Sequence, residues 1–582
     1  MPTITIHKRD LDNLVGKKLS LANLEASLSW VKGELKDYNA ESDEAKIELN
    51  DSNRPDLWCT EGIARQIRLM LKGKADRYSF YRNRTGGRNF KISVDRELKQ
   101  IRPFIAAFAV SDYLMSEAGL IQFIQTQEKL AEIFGHKRKL LSIGIYPLDG
   151  VTFPLYYKAV PPDQYRFVPL GSTEEMSLSG ILENHPKGKQ YGEIFENREF
   201  LPLFVDQKGK VLSFPPIINS REAGEVHPGD RELMVEVTGT DLRLVNLVLN
   251  ILATNFFDRG GRVEPVTVSY PYQTVLGKRV LFPCTVDSPM IVDLKEISKI
   301  LGESLKPVEV SRALESYGHT VTRMTGDKFK VSTSPYRDDI LHPVDLIEDV
   351  AMSIGYENFK PELPKDFSRG SLSGEEKFSD KIRDYFVGAG FQEMISNILT
   401  SREDLVDKMR LDYHNLPLVE IDNVMTAQFS IVRNQILPSL LRVESSSGKS
   451  FYPHHIFEIG EIAEKNISMN IGSKTRIHLA ALTSHMNASF SEMHSCLDLF
   501  FYYFIGKEGR TYELKATDHP SYIPGRHGEI YLKIEGRGGK EIRIGEIGEI
   551  HPEVLDRWQI GVPCSALILD VESLLPFSFS FS

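Results

Sequence analysis

The amino-acid sequence predicts a multidomain α+β protein, and three observations carry that reading: the length, the mixture of strand-like and helix-period segments, and a punctuated break near residue 360. The chain has 582 residues, enough for about three to five domains of ordinary size. Its 41% hydrophobic and 26% charged residues are those of a globular chain, which excludes the disordered, collagen-like and membrane classes. With 70 Lys and Arg against 80 Asp and Glu, the net charge of -10 gives no global attraction for nucleic acid, so any RNA contact is a local patch. Cys59, Cys284, Cys496 and Cys564 form no CxxC pair, and the opening MPTITIHKRD has no secretory pattern, so a cytoplasmic location is expected.

The first unit, residues 1–90, is helical with short strands and closes in a basic stretch. There Lys72, Lys74, Arg77, Arg82, Arg84, Arg88 and Lys91 face only Asp76, with Tyr78, Phe80, Tyr81 and Phe90 interleaved. That mixture suits phosphate contacts and base stacking, or a solvated linker. The second unit, residues 91–277, carries two strand-like runs around Lys208-Gly209 and then the apolar segment 242–257. This segment is too short to span a membrane, and Arg243, Asn246, Asn250 and Thr254 cut it at helical spacing, so it reads as a buried helix with one polar stripe. Asn219 and Ser220 follow a Pro-Pro turn, while Glu236, Thr238, Thr240 and Asp241 lead into the helix. Converging hydroxyl, amide and carboxylate groups suit a small polar substrate; Thr240 or Asp241 equally suits a helix cap.

The third unit, residues 278–360, repeats features of the first. Gly16, Leu19, Leu24 and Leu28 share their spacing with Gly302, Leu305, Val310 and Leu314. Each set leads through a short strand to a related tetrapeptide, RPDL at 54–57 and RDDI at 337–340, and then to an amphipathic helix. A diverged duplication is expected. The second copy lengthens the step from tetrapeptide to helix by about one turn, bringing in Asp345. Asp345, Glu348 and Asp349 then share one helix face, with Asp339 close before it. Four carboxylates suit Mg²⁺ or Ca²⁺; acidic residues in a first turn also suit the helix dipole alone. Residues 361–374, rich in Pro, Gly and Ser, form a linker before the last domain, 375–582. Near-misses to a P-loop at 448–450 and to zinc spacing at 454–455 and 494–496 lack the residues those sites need, and GRGG at 536–539 reads as a hairpin turn.

NRPDL with EGIAR (53–65), PPIINS (215–220), TGTD (238–241), SPYRDDI with DLIEDVA (334–351), RNQILPSLL (433–441), FEIGEI (457–462), HPSYIPGR (519–526) and GEIGEIHPEVL (545–555) together resemble the beta subunit of phenylalanyl-tRNA synthetase. The resemblance runs in order along nearly the whole chain and is to the short archaeal and eukaryotic-cytosolic type, without room for an OB-fold insertion or an anticodon-binding extension. It implies winged-helix-like helical units, a mixed α/β editing-type domain and a class II synthetase-like antiparallel sheet domain without an active site. It implies two alpha and two beta subunits that join phenylalanine to tRNA(Phe), with ATP and phenylalanine bound by the alpha subunit and no membrane partner. The family's magnesium site falls on Asp339, Asp345, Glu348 and Asp349, and its editing domain, which hydrolyses mischarged tyrosyl-tRNA, falls on the second unit. There Asn219, Ser220, Glu236, Thr238, Thr240 and Asp241 are candidates by position. Phe457 is followed by Glu458 where an ATP-binding Arg is required, and no GxGxxR follows, so aminoacylation by this chain alone is not expected. A stand-alone winged-helix RNA-binding protein and a trans-acting editing hydrolase are the alternatives.

Overall fold

A computed structural model describes residues 2–50, 53–82, 88–286, 288–364, 366–504, 510–534 and 541–577. The chain divides into two compact units, Met1–Glu362 and Leu363–Ser582.

The first unit begins with strands Thr3–His7, Gly33–Asn39 and Glu44–Leu49, the last in the middle of an antiparallel sheet. Helices Lys8–Val15 and Leu21–Leu28 lie between the first two strands, and helix Thr60–Lys72 follows the sheet. Strands Met290–Asp293, Thr320–Arg323 and Lys328–Ser332 repeat the same strand order, with helices Leu294–Leu301 and Pro307–Ser316 between and Pro343–Ile354 after. The shared glycines have a shared cause: Gly16 (φ 77°) and Gly302 (φ 71°) end corresponding helices in the left-handed region, where a Cβ is unfavourable.

Between the copies lies a ten-stranded sheet whose strand Leu233–Gly239 runs antiparallel between Phe104–Ser111 and Leu141–Pro147. Helix Leu242–Asp258 packs across it. Asp241 caps this helix by accepting from the Arg243 and Leu244 amides. The polar stripe is satisfied: the Asn246 and Asn250 side chains both donate to the Cys284 carbonyl, at 3.1 and 3.0 Å, and Arg243 pairs with Asp338 at 2.6 Å. Strands Leu201–Val205 and Val211–Phe214 form the hairpin around Lys208-Gly209.

The aromatic residues of the basic stretch are not stacking platforms. Tyr78 and Phe80 are buried and pack with Tyr81 and Phe257, and Phe90 is buried against Phe153. Removing about 150–250 Å² per ring from water competes with any exposed role. Lys72 pairs with Asp76 and Arg88 with Glu232, leaving Lys74, Arg77, Arg82 and Lys91 exposed; Arg84 lies outside the described residues.

The second unit is built on a seven-stranded sheet, antiparallel apart from the edge strand Gln392–Glu393, which runs parallel to its neighbour His454–Lys465. Helices Gly374–Gly388 and Phe490–Phe504 cover one face, packing Phe386, Leu497 and Phe500 around Phe457 of the sheet. Ile436, Leu440, Leu482, Trp558 and Ile568 fill the other. The expected turn at 536–539 lies outside the described residues, although its flanking strands pair antiparallel. No helix among the described residues is long and apolar enough to cross a membrane.

Candidate functional site

The two repeated copies pack on each other. The Gln66 side chain donates to the Ser316 carbonyl at 3.0 Å, Tyr317 donates to the Trp30 carbonyl at 3.2 Å, and Lys32 pairs with Glu348 at 2.8 Å. The related tetrapeptides meet at this junction. Arg54 grips both oxygens of Asp56 at 2.8 Å, Arg337 grips both oxygens of Asp339 at 2.8 and 2.5 Å, and Arg54 reaches Asp339 at 3.8 Å. Bidentate pairs of this kind are strong and directional.

All four predicted carboxylates line one cavity of about 30 Å³, together with Lys32, Asn53, Arg54 and Arg337. Asp349 is buried and bonds His319 Nε2 at 2.7 Å and Arg337 at 3.0 Å. Asp345 accepts from the Leu341 and His342 amides at 2.8 and 2.7 Å, closing a capping box at the helix start. Burial opposes ionisation of Asp339 and Asp349, but Arg337 beside them holds both carboxyls below their usual range. The positive charge this acidic face needs is therefore supplied by arginine and lysine. Among the described residues no three His, Cys, Asp or Glu side chains stand close enough to hold a metal. The oxygen donors suit Mg²⁺ in kind, yet Asp339 and Asp349 are committed to Arg337, Glu348 to Lys32, and Asp345 to two backbone amides.

A second constellation lies in the sheet between the copies. Glu236 and Thr238 both sit on Leu233–Gly239 and are buried. Tyr146 donates to Glu236 Oε1 at 2.7 Å, and its hydroxyl oxygen accepts from the Ser213 hydroxyl at 2.9 Å. Arg102, fully buried, donates to Thr238 Oγ1 at 3.0 Å, to the Thr238 carbonyl at 2.9 Å and to Ser142 at 3.2 Å. Two polar atoms here are buried without a partner, Glu236 Oε2 and the Tyr157 hydroxyl. Burial pushes the Glu236 carboxyl up to about 7, against the opposing pull of Tyr146 and Arg102, and lowers Arg102 to about 10. The buried carboxyl oxygen and phenol without partners are groups that a hydrogen-bonding ligand would satisfy.

The remaining candidates fall outside this buried core. Ser220 caps the short helix Arg221–Gly224 and donates to the Val211 carbonyl at 2.6 Å, while the Asn219 amide bonds the Gly224 carbonyl at 3.3 Å. Asp241 is the helix cap, and Thr240 is exposed. Arg102, Ser142, Tyr146 and Ser213 complete the site without having been expected. Only sheet pairing brings them beside Glu236 and Thr238.

In the second unit, Glu458 is buried and pairs with Arg433 at 2.7 Å, and Arg433 also donates to the Ser396 hydroxyl at 2.8 Å. A buried arginine is thus present near the position after Phe457, but it is already neutralised.

The phenylalanyl tRNA synthetase beta chain CLM domain family matches residues 360–571, and the tRNA synthetase B5 domain family matches residues 290–356. The phenylalanine–tRNA ligase beta subunit of Borrelia recurrentis (strain A1) is 38% identical over 578 residues, covering 99% of this chain and 100% of the relative. That of Borrelia hermsii (strain HS1 / DAH) is 36% identical over 577 residues, with coverage of 99% and 100%. The crystal structure of an N-terminal fragment of the phenylalanyl-tRNA synthetase beta subunit from Pyrococcus horikoshii is similar over 61% of this chain and 100% of the fragment, at 36% identity and a TM-score of 0.57. These full-length likenesses, with two matched domains in order, place the chain in the family of phenylalanine–tRNA ligase beta subunits, components of an aminoacyl-tRNA synthetase.

Proposed function

We propose that the chain is the architectural and editing subunit of a cytoplasmic ligase that, with an alpha partner in a two-alpha, two-beta assembly, attaches phenylalanine to tRNA(Phe). ATP and phenylalanine bind the alpha subunit, where the ligation occurs. The neutralised Arg433 supports this division, because it offers no free charge to a triphosphate. A partner surface is supported by exposed apolar side chains in the second unit, among them Val387, Ile395, Met425, Tyr502 and Tyr503. Within the chain we assign residues 1–90 and 278–360 to the paired scaffold, 91–277 to editing, and 375–582 to an inactive synthetase-like domain behind the 361–374 linker. The archaeal type of subunit is favoured by the 36% identity along the whole Pyrococcus fragment, even though the relatives matched along their full length include Borrelia proteins.

Glu236 carries the editing assignment: it is buried, shifted to about 7 and has one unpartnered oxygen. A tyrosine wrongly joined to tRNA differs from phenylalanine by one hydroxyl, and a site built to bond that hydroxyl discriminates by about 10⁴–10⁵. Glu236 Oε2 accepts the substrate phenol and Arg102 holds Thr238 and Ser142 in place, while a solvent water cleaves the ester, its hydroxyl going to the tyrosyl carbonyl carbon and its proton to the ribose oxygen. Deacylation of tyrosyl-tRNA by the assembled ligase should fall at least about tenfold in Glu236→Gln; an unchanged rate removes Glu236 from the reaction.

Mg²⁺ at the cavity between the copies would be held by Asp345 and by Glu348 released from Lys32, and would supply positive charge beside the acidic side chains there. Titration calorimetry of the assembled ligase should show Mg²⁺ binding weakened by Glu348→Gln; identical isotherms reject the assignment. The alternatives, a stand-alone winged-helix RNA-binding protein or a trans-acting editing hydrolase, require a chain that purifies without an alpha partner. Equimolar co-purification with a second synthetase chain excludes both.

A further inference from the structure

Glu236 depends on a single donor. Among the described residues the one hydrogen bond to its carboxylate comes from Tyr146, at 2.7 Å to Oε1, while Oε2 has none. Tyr146 is itself fully buried, and its ring lies 6.1 Å from that of Phe204. The sheet register explains how the phenol reaches the carboxylate. Glu236 stands directly opposite Gly144, and Tyr146, two residues further along the same edge strand, shares its face. With no side chain at Gly144 the tyrosine leans back over the glycine; a Cβ there would overlap both the Tyr146 hydroxyl and Glu236 Oε1.

The bond also has a direction. A phenol carries one proton, and Tyr146 gives it to Glu236, so the Tyr146 oxygen accepts from the Ser213 hydroxyl at 2.9 Å. Ser213 belongs to Val211–Phe214, near the opposite end of the strand order, so the chain of bonds joins the two ends of the sheet. A donor on Oε1 favours the ionised form of Glu236, in which Oε2 is an acceptor only. An ionised Oε2 takes an O–H group in a charge-assisted bond and gains nothing from a ring C–H.

No other group facing Glu236 titrates near neutrality. Arg102, before strand Phe104–Ser111, stays cationic up to about 10, and burial raises the phenols of Tyr146 and of Tyr157, on Leu155–Val160, above their ordinary range. Burial raises the Glu236 carboxyl most, and the Tyr146 bond is the largest influence pulling it back, ahead of Arg102.

We propose that Tyr146 is a positioning residue for tyrosyl-ester hydrolysis: its hydroxyl, aligned by Ser213 and seated over Gly144, holds the Glu236 carboxylate so that Oε2 is presented as an acceptor only, and it thereby sets the preference for a tyrosyl over a phenylalanyl ester. The inference rests on the editing reading for its purpose, whereas the hold of Tyr146 on Glu236 does not.

Tyr146→Phe removes the hydroxyl and keeps the ring. In hydrolysis of tyrosyl-tRNA by the assembled ligase, the rising limb of kcat/KM against pH should move up by about one unit, the contribution of one hydrogen bond to a charged group. A carboxyl half ionised near pH 7 is then about one-tenth ionised there, so KM for the tyrosyl ester should rise about fivefold, return to within about twofold of wild type at about pH 8.5, and leave kcat unaltered. The phenylalanyl ester makes no bond to Oε2 and should keep its KM, so discrimination falls by the same factor. Ser213→Ala removes the alignment but not the donor and should give a smaller shift in the same direction.

A second readout does not need the reaction. The folded Glu236 carboxyl lies near 7, above its unfolded value near 4.5, so the stability it contributes is whole below 4.5, is lost as pH rises and levels off above 7. Urea unfolding of the full chain against its Glu236→Gln variant should trace that curve, and the same comparison made in Tyr146→Phe should level off about one pH unit higher. A limb unmoved in both readouts overturns the proposal, as does a kcat loss equal at every pH, which marks a residue that only fills space. Unchanged discrimination beside a moved limb also overturns it. A stability curve that moves, in a ligase that never cleaves tyrosyl-tRNA, refutes editing and leaves Tyr146 as the residue that holds Glu236.

Discussion

The two repeated copies, Thr3–Lys72 and Met290–Ile354, share strand order, helix order and an Arg-x-Asp turn, yet they line the cavity between them differently, the second with carboxylates and the first with Lys32, Asn53 and Arg54. In the first, Gly62 lies so close to the turn that an added Cβ would collide with the Asp56 carbonyl oxygen. In the second, the helix carries about one additional turn at its start, and the equivalent place is taken by Asp349, bonded to His319 and Arg337. A short insertion has thus exchanged backbone contact for a buried charge network. Fold and chemistry are separable here: the sheet order survives the exchange and the electrostatics do not.

Breaking the network should cost most. Asp349→Ala strands buried His319, leaves Arg337 with Asp339 alone, and should lower stability by about 3 kcal/mol, read from urea unfolding of the full chain. A loss below about 1 kcal/mol would show that the network is not coupled to folding. In the first copy, Gly62→Ala should cost about 3 kcal/mol through overpacking against backbone, whereas Asp349→Gly meets no steric barrier but loses the charge and adds the helix-interior glycine penalty of about 1 kcal/mol. Comparing unfolding of Asp349→Gly with Asp349→Asn separates those two causes.

Acid should distinguish the copies next. Asp339 is depressed in the folded state by Arg337 and Arg54, so its stabilisation is present above the unfolded carboxyl pKa near 3.8 and disappears as pH falls through the lower folded value. Asp339→Asn should therefore cost about 2 kcal/mol at pH 7, and the gap from wild type should close below about pH 4. A gap independent of pH would refute the pairing. The smallest effect belongs to Lys32–Glu348, which spans the copies at 2.8 Å but leaves 27% and 48% of the two side chains exposed. A double-mutant cycle should return less than about 1 kcal/mol, shrinking with salt.

Much of this was legible because it is local. Gly16 and Gly302 mark the duplicated helix ends, and the interrupted apolar run at 242–257 is the buried helix almost to the residue. Contacts made by distant residues were not legible. Arg102 reaches Thr238 only because Phe104–Ser111 pairs with Leu233–Gly239, and Ser213 meets Tyr146 across the same sheet. The arginines of RPDL and RDDI stood in plain view, but the sequence does not show that each folds back onto its own aspartate. Tyr78, Phe80 and Phe90 misled for another reason: alternation with basic residues also describes a chain that buries its rings and leaves its charges outside.

The pairing of Arg433 with Glu458 has a consequence for how the second unit tolerates substitution. Each residue is buried and compensates the other, so changing Glu458 alone to a cation sets two positive charges side by side in the interior, and changing Arg433 alone strands a carboxylate. The two positions are therefore tied: altering one charge without the other leaves an ion in the interior without its counter-ion.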